Sequence, residues 1–200
     1  MSEEKHNVGG KEQLKDQKKS RAPRWSRRPP ASLNPIRSLF EPPQRLIEPY
    51  ITKGRVVADL GCASGYYTFA LAQCVGPEGR VYAVDLNEKC IRSIEKKMDK
   101  EGYHNIEAHA SSASDLSFIK DGSVDFVLAN GLLCSMVEHR QSAVNEIKRI
   151  LKPGGQAFLS LGFPYPIGFV NRAEWEKILE GFRVERRGGP FQKWAMVSVK

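Results

Sequence analysis

Hydrophobic positions in this chain fall into short continuous runs separated by helical stripes, starting near residue 55. Arg55-Val-Val-Ala-Asp-Leu60 is a β-branched run that stops at Gly61, the pattern of a buried parallel strand. Tyr66 to Cys74 reads as a helix, Gly76-Pro-Glu-Gly79 as a turn, and Arg80 to Val84 as a second strand. Glu88 to Glu101 carries Ile91, Ile94 and Met98 on one helical face. Asn105 to Ala110 and Val124 to Ala129 predict strands three and four, the latter entered through Asp121-Gly122. Val137 to Leu151 has an apolar stripe of Ala143, Val144, Ile147, Ile150 and Leu151, which Lys152-Pro-Gly-Gly155 should stop. Gln156 to Leu161 is then strand five and Glu174 to Leu179 a short helix. Phe182 to Arg186 and Trp194 to Val199 flank Gly188-Gly189-Pro190 with no helix between them, so they predict an antiparallel hairpin. Five strand-helix units and a closing hairpin predict a doubly wound α/β fold. Its mainly parallel sheet should have seven strands.

The region before this alternation is different. Ser38 to Ile51 predicts a short helix interrupted by Pro42-Pro43. Residues 1–30 hold nine Lys/Arg against four Asp/Glu, so most of the +8 formal charge lies there and the remaining chain is close to balanced. This stretch has only Val8 and Leu14 as aliphatic residues and cannot bury enough apolar surface to offset its ordering entropy. Residues 1–32 are expected to be a disordered basic tail, and 33–200 a single domain. The tail is either a solvated leader or an electrostatic arm for nucleic acid or an acidic partner, with Trp25 able to stack on a base. No apolar run approaches the ~20 residues that cross a bilayer, and the first 30 residues lack the apolar core of a secretory signal. Cys62, Cys74, Cys90 and Cys134 form no CxxC pair, which argues for reduced thiols in a cytoplasmic protein and against a metal site.

The first strand-helix turn, Asp59-Leu-Gly-Cys-Ala-Ser-Gly65, carries the chemistry. Glycines let the backbone turn sharply and approach a ligand. Asp85, ending strand two, suits the two hydroxyls of an adenosine ribose. The dinucleotide fingerprint G-x-G-x-x-G is not met, because Gly61 and Gly65 stand in a G-x-x-x-G spacing. Asp59 would also repel a pyrophosphate and would favour a cationic group. S-adenosylmethionine meets these conditions, with a ribose, a sulfonium, an ammonium and no phosphate.

These residues resemble a class I S-adenosylmethionine-dependent methyltransferase of the small, single-domain, ubiquinone/menaquinone-methylase-like type, over roughly Leu33 to Lys200. Val56 to Gly65 is similar to the family's first motif, with Ala63 where a glycine is commonest, and Val81 to Leu86 is similar to its second. The resemblance implies a Rossmann-like methyltransferase fold with cofactor contacts from Asp59, Gly61, Cys62, Ala63, Ser64 and Gly65. It implies Asp85 on the ribose and Leu86 on adenine. Ser112 and Ala113 stand where the family often has an Asp-Ala pair at adenine; Asp115 is either a displaced substitute or a helix N-cap. Asn130 should pass beneath the methionine portion, or else be a turn residue. Leu151-Lys-Pro-Gly-Gly155 resembles the turn before strand five.

Methyl transfer from a sulfonium is an in-line displacement that rests mainly on proximity and orientation, worth ~7–11 kcal/mol. A general base is required only where the nucleophile must lose a proton. The candidates are His139, which is either a base or a solvated or capping residue, and Tyr66, which with Tyr67 follows the glycine loop. Cys62 reads as a packing residue. Ser32 to Arg37 and the aromatic, proline-rich Phe163 to Phe169 occupy the places that usually set substrate choice. The leading expectation is transfer to a small-molecule acceptor. The alternatives are an RNA or protein substrate held by the tail, or a non-catalytic S-adenosylmethionine-binding protein.

Overall fold

The protein is described from a computed structural model over residues 48–161, 170–188 and 193–199. The basic tail, the predicted helix up to residue 47, Ser32 to Arg37 and the whole of Phe163 to Phe169 lie outside these residues. After a 3-10 turn at Glu48–Tyr50, the order is β1 (Val56–Leu60), α1 (Thr68–Val75), β2 (Arg80–Asp85), α2 (Glu88–Glu101), β3 (Ile106–Ala110) and β4 (Val124–Asn130). Then come α3 (Arg140–Ile150), β5 (Leu151–Ser160), α4 (Arg172–Leu179), β6 (Arg183–Gly188) and β7 (Trp194–Ser198).

The seven strands form one sheet in the order β3-β2-β1-β4-β5-β7-β6. The β1–β2, β2–β3, β1–β4 and β4–β5 pairs are parallel, whereas β7 is antiparallel to both β5 and β6. The expected doubly wound sheet and hairpin are therefore present, with β7 inserted between β5 and β6. The order reverses between β1 and β4, which places the topological switch point there.

Each inner strand is apolar on both faces, and its alternate residues enter two separate cores. Val57, Val81, Ala83, Phe126 and Leu128 face the core that α1 and α2 cover with Phe69, Leu71, Ile91 and Ile94. Ala58, Leu60, Val84, Val127 and Ala129 face the other, covered by Ile147 and Ile150 of α3 and Trp175 and Ile178 of α4. Caps set some helix starts: Asn87 accepts from Lys89 N–H before α2, and Asn171 with Glu174 forms a capping box at α4.

Two expectations change. No helix follows β3; residues 111–123 run irregularly to β4, and Ala113, Leu116 and Ile119 still fill the second core. Local side-chain bonds replace the helical ladder, with Ser112 Oγ accepting from Ser114 N–H and Ser111 Oγ donating to Asp115 C=O. The segment is pinned from α3 by Arg149, which donates to Leu116 C=O and Ile119 C=O at 2.8 and 2.9 Å and to the Glu146 carboxylate at 2.8 Å. Glu146 in turn accepts Leu116 N–H at 2.7 Å. Second, Lys152 to Gly155 belongs to β5 as an irregularity in its register with β4 and is not a separate turn. At the same edge Lys152 and Arg55 meet Asp125 at 2.8 and 4.0 Å.

Candidate functional site

The carboxyl ends of β1, β2, β4 and β5 meet at the switch point, and the loop leaving β1 is the most constrained part of that edge. Gly61 (φ 75°) and Gly65 (φ 88°) are left-handed, and Ala63 (φ 49°) is the one non-glycine with positive φ among the described residues. A Cβ on Gly65 would lie 2.6 Å from Phe69 Cε2, so glycine is required there by space as well as by conformation. Asp59 at the end of β1 is 3% exposed, and its Oδ2 accepts the Thr68 hydroxyl at 2.6 Å. It thereby ties the end of β1 to the first turn of α1.

The loop's own donors are directed inward. Gly61 N–H and Cys62 N–H both donate to Val84 C=O, at 2.8 and 3.1 Å, and Gly65 N–H donates to Cys62 C=O at 2.9 Å. Ala63 N–H donates to Asp85 Oδ2 at 2.9 Å, while Asn87 N–H donates to Oδ1 at 2.8 Å. A pyrophosphate site needs a row of outward backbone N–H groups, and those of Gly61, Cys62, Ala63 and Gly65 are already occupied. The Asp85 carboxylate has four acceptor positions, two of them used by these backbone bonds. It is held in one orientation and keeps capacity for a vicinal diol. Beside it Leu86 is 56% exposed, a large apolar side chain at the mouth of a polar edge. A carboxylate, a neighbouring exposed leucine and an inward-bonded glycine loop fit the ribose and adenine of S-adenosylmethionine.

Cys62 is buried, and its thiol is pushed well up by burial first and then by the charges of Asp59 and Asp85. That makes it a packing residue of the loop and no nucleophile. Ser64 lies half-buried in the same turn. Ser112 Oγ is 2.7 Å from Ser114 Oγ, and Ala113 is 5% exposed beneath it. Asp115 is exposed and accepts Ser117 N–H at 3.3 Å, acting as a turn cap with no helix behind it. Asn130 ends β4 directly opposite Ser160, which ends β5. Its Oδ1 accepts the Ser160 hydroxyl, and its Nδ2 donates to the Tyr67 hydroxyl at 2.8 Å.

Tyr66 stands edge-on to Tyr67, with ring centroids 5.0 Å apart. His139 is exposed just before α3 and makes no side-chain cap. Val137, in the connection from β4 to α3, is 59% exposed. Thr68, Tyr67 and Ser160 were not singled out together by sequence. Two of the three lie in strand-helix junctions, and the pairing of Ser160 with Asn130 depends on a register that only the sheet defines. Among the described residues no group of three or more His, Cys, Asp or Glu is placed to hold a metal, and no helix is long and apolar enough to cross a membrane.

The chain is similar to known proteins. A sequence profile described as a methyltransferase domain matches residues 57–155, from β1 into β5. A demethylmenaquinone methyltransferase of Geobacillus stearothermophilus is 34% identical over 105 residues, covering 52% of this chain and 44% of that protein. Its counterpart in Geobacillus kaustophilus is 32% identical over 120 residues, 60% of this chain and 50% of that one. The chain thus spans about half the length of the curated relatives it matches. A solved structure of a SAM-dependent methyltransferase from Aquifex aeolicus superposes with a TM-score of 0.70 at 26% identity, covering 82% of this chain and 94% of that one.

Proposed function

We propose, for a chain that carries a class I S-adenosylmethionine-dependent methyltransferase domain, that it transfers the cofactor's methyl group to a small-molecule acceptor. When bound, S-adenosylmethionine supplies an electrophilic methyl carbon on a sulfonium. The observation that carries the reading is the bonding of the glycine loop. Its N–H groups are turned inward onto Val84, Cys62 and Asp85, so the edge is prepared for a ribose and not for a phosphate chain. Asp85 would hold the ribose hydroxyls and Leu86 would cover the adenine, with Ser112 and Ala113 at its far edge. Asp59 adds negative charge behind the loop, favourable to a cationic ligand. The bound donor would supply its methyl carbon to the acceptor's electron pair, with sulfur keeping the electrons of the broken carbon–sulfur bond and the acceptor's proton released to water.

The curated relatives act on demethylmenaquinone, as their names state, which supports a small organic acceptor here. The exposed Val137 between β4 and α3 gives that side of the edge an apolar contact. Titration calorimetry with S-adenosylmethionine and S-adenosylhomocysteine tests the cofactor half. Transfer of labelled methyl groups into cell extract, with and without ribonuclease and protease, tests the acceptor half. Label that survives both enzymes supports a small molecule; label lost with ribonuclease or protease assigns the acceptor to RNA or protein. Absence of binding by either ligand would remove the whole reading.

A further inference from the structure

The two outer strands of the sheet are finished differently. β6 carries Arg183, Arg186 and Arg187 and a break in register between Val184 and Arg186. Charge and an irregular ladder are what keep an edge from pairing with another strand. β3 has neither. Ile106 to Ala110 pair with β2 in unbroken register, and the strand holds no Lys, Arg or Pro. Asn105 C=O accepts Val81 N–H and Ser111 N–H donates to Asp85 C=O, so the odd-numbered residues turn their backbone groups to β2. Ile106, Ala108 and Ala110 therefore turn theirs outward, and among the described residues nothing bonds to them there.

The side chains along this edge are complementary to themselves. Glu107 pairs with Tyr82 and His109 with Val84, so both lie on the face of the second core. Glu107 Oε1 is 2.8 Å from His109 Nε2, and Phe118 stacks on the His109 ring at 3.9 Å. An antiparallel second copy, with the two-fold axis at Ala108, sets Glu107 opposite His109 of that copy, and His109 opposite its Glu107. These fall at non-hydrogen-bonded positions, where side chains stand closest, with Cα atoms ~4.5 Å apart. An axis at Glu107 or His109 would instead oppose like to like and shorten the ladder.

We propose that β3 is a dimer interface, pairing with β3 of a second copy to make one continuous sheet. Ala108 meets its own copy and Ile106 meets Ala110, each pair exchanging both backbone bonds. The assembly closes at two chains, because the remaining edge is the guarded β6. Antiparallel pairing points the two halves in opposite directions. The carboxyl ends of β1, β2 and β4 then open at opposite rims, and neither copy covers the other's Asp85. A five-residue ladder is smaller than a standard interface, so the dissociation constant should lie at about 1–100 μM.

Sedimentation velocity of the full chain from about 1 to 200 μM should show the mass rising from that of one chain toward that of two. Ala110→Pro removes an outward N–H that β2 does not use. It should keep the wild-type circular dichroism and raise the dissociation constant at least about tenfold. Glu107→Lys should weaken the dimer about as much, and adding His109→Glu should bring it back within about threefold of wild type by restoring opposite charges across the axis. Hydrogen exchange should protect the amides of Ile106, Ala108 and Ala110 only at high concentration, and those of Glu107 and His109 at every concentration. A chain monomeric across the range would overturn the proposal and leave the edge to a strand of another protein. Species larger than a dimer, a dimer indifferent to Ala110→Pro, or a double variant no tighter than Glu107→Lys would also overturn it.

Discussion

The two stretches that would flank the adenosine, the loop leaving β1 and the passage from β3 to β4, are held by different physics. The first is fixed by backbone conformation. Positive φ at Gly61, Ala63 and Gly65 and four inward N–H bonds leave it few alternatives. The second has no helix and adds to its local serine and Asp115 bonds a cation from another element. Arg149 and its partner Glu146 supply the hydrogen bonds that a helix after β3 would have made within itself. A loop built from backbone geometry is stable wherever its own residues are intact. A segment held by side chains from another element can be released by a change thirty residues away.

The largest expected effect is on the ligand. Asp85→Ala removes the acceptor of Ala63 N–H and Asn87 N–H as well as the diol partner, so S-adenosylhomocysteine affinity should fall about a hundredfold or more by calorimetry, ~3 kcal/mol. Gly65→Ala comes next. The close approach to Phe69 and the left-handed φ together should lower unfolding free energy by about 2–4 kcal/mol in a denaturant titration. Hydrogen exchange should show the loss of protection centred on 61–65.

Arg149→Met sharpens the contrast from the other side. It should cost about 2 kcal/mol and unprotect the amides of Leu116 and Ile119, leaving those of Gly61 and Cys62 slow to exchange. Loss of protection in both stretches together would mean that they form one cooperative unit, and the distinction would fail.

The smallest effect is on acid stability. Hydrogen bonds from Arg149 hold the Glu146 carboxyl below its ordinary value of 4.5 against an opposing effect of burial, aided by Leu116 N–H. The unfolded chain therefore binds the proton first as pH falls. The stabilisation is present above about pH 4.5 and disappears as pH drops through the lower folded value. Between pH 7 and pH 4 the Tm of wild type should fall further than that of Glu146→Gln, by a degree or a few. Asp125 adds to the same limb. Burial pushes it up, but bonds from Lys152 and Val56 N–H and the charge of Arg55 bring it below its ordinary value.

What could be read from residues alone follows the same division. β1, β2, β4 and the α2 stripe were legible because burial and period are local signals, and Asp85 because it ends a strand twenty residues after Gly65. The passage from β3 to β4 was not. Ala113, Leu116 and Ile119 keep a helix-like spacing, yet the serines and Asp115 bond the backbone locally, and the compensating Arg149 lies on another element. The inward bonding of the glycine loop was likewise hidden, since a glycine spacing tells nothing of which carbonyl each N–H will meet. The Ser160–Asn130–Tyr67 chain required the β4–β5 register.

The place of β7 has a consequence for synthesis. Strands β2 to β5 can each find a partner among segments already made, because each has a sheet neighbour that precedes it in the chain. β6 cannot, since its sole neighbour in the sheet is β7, which is translated after it. At ~5–20 residues per second the ribosome would leave β6 and the fifth strand's outer edge without a partner until Trp194–Ser198 emerges. During that interval the edge is the part of the nascent chain most exposed to mispairing. The arginines at 183, 186 and 187 place charge on the strand that waits.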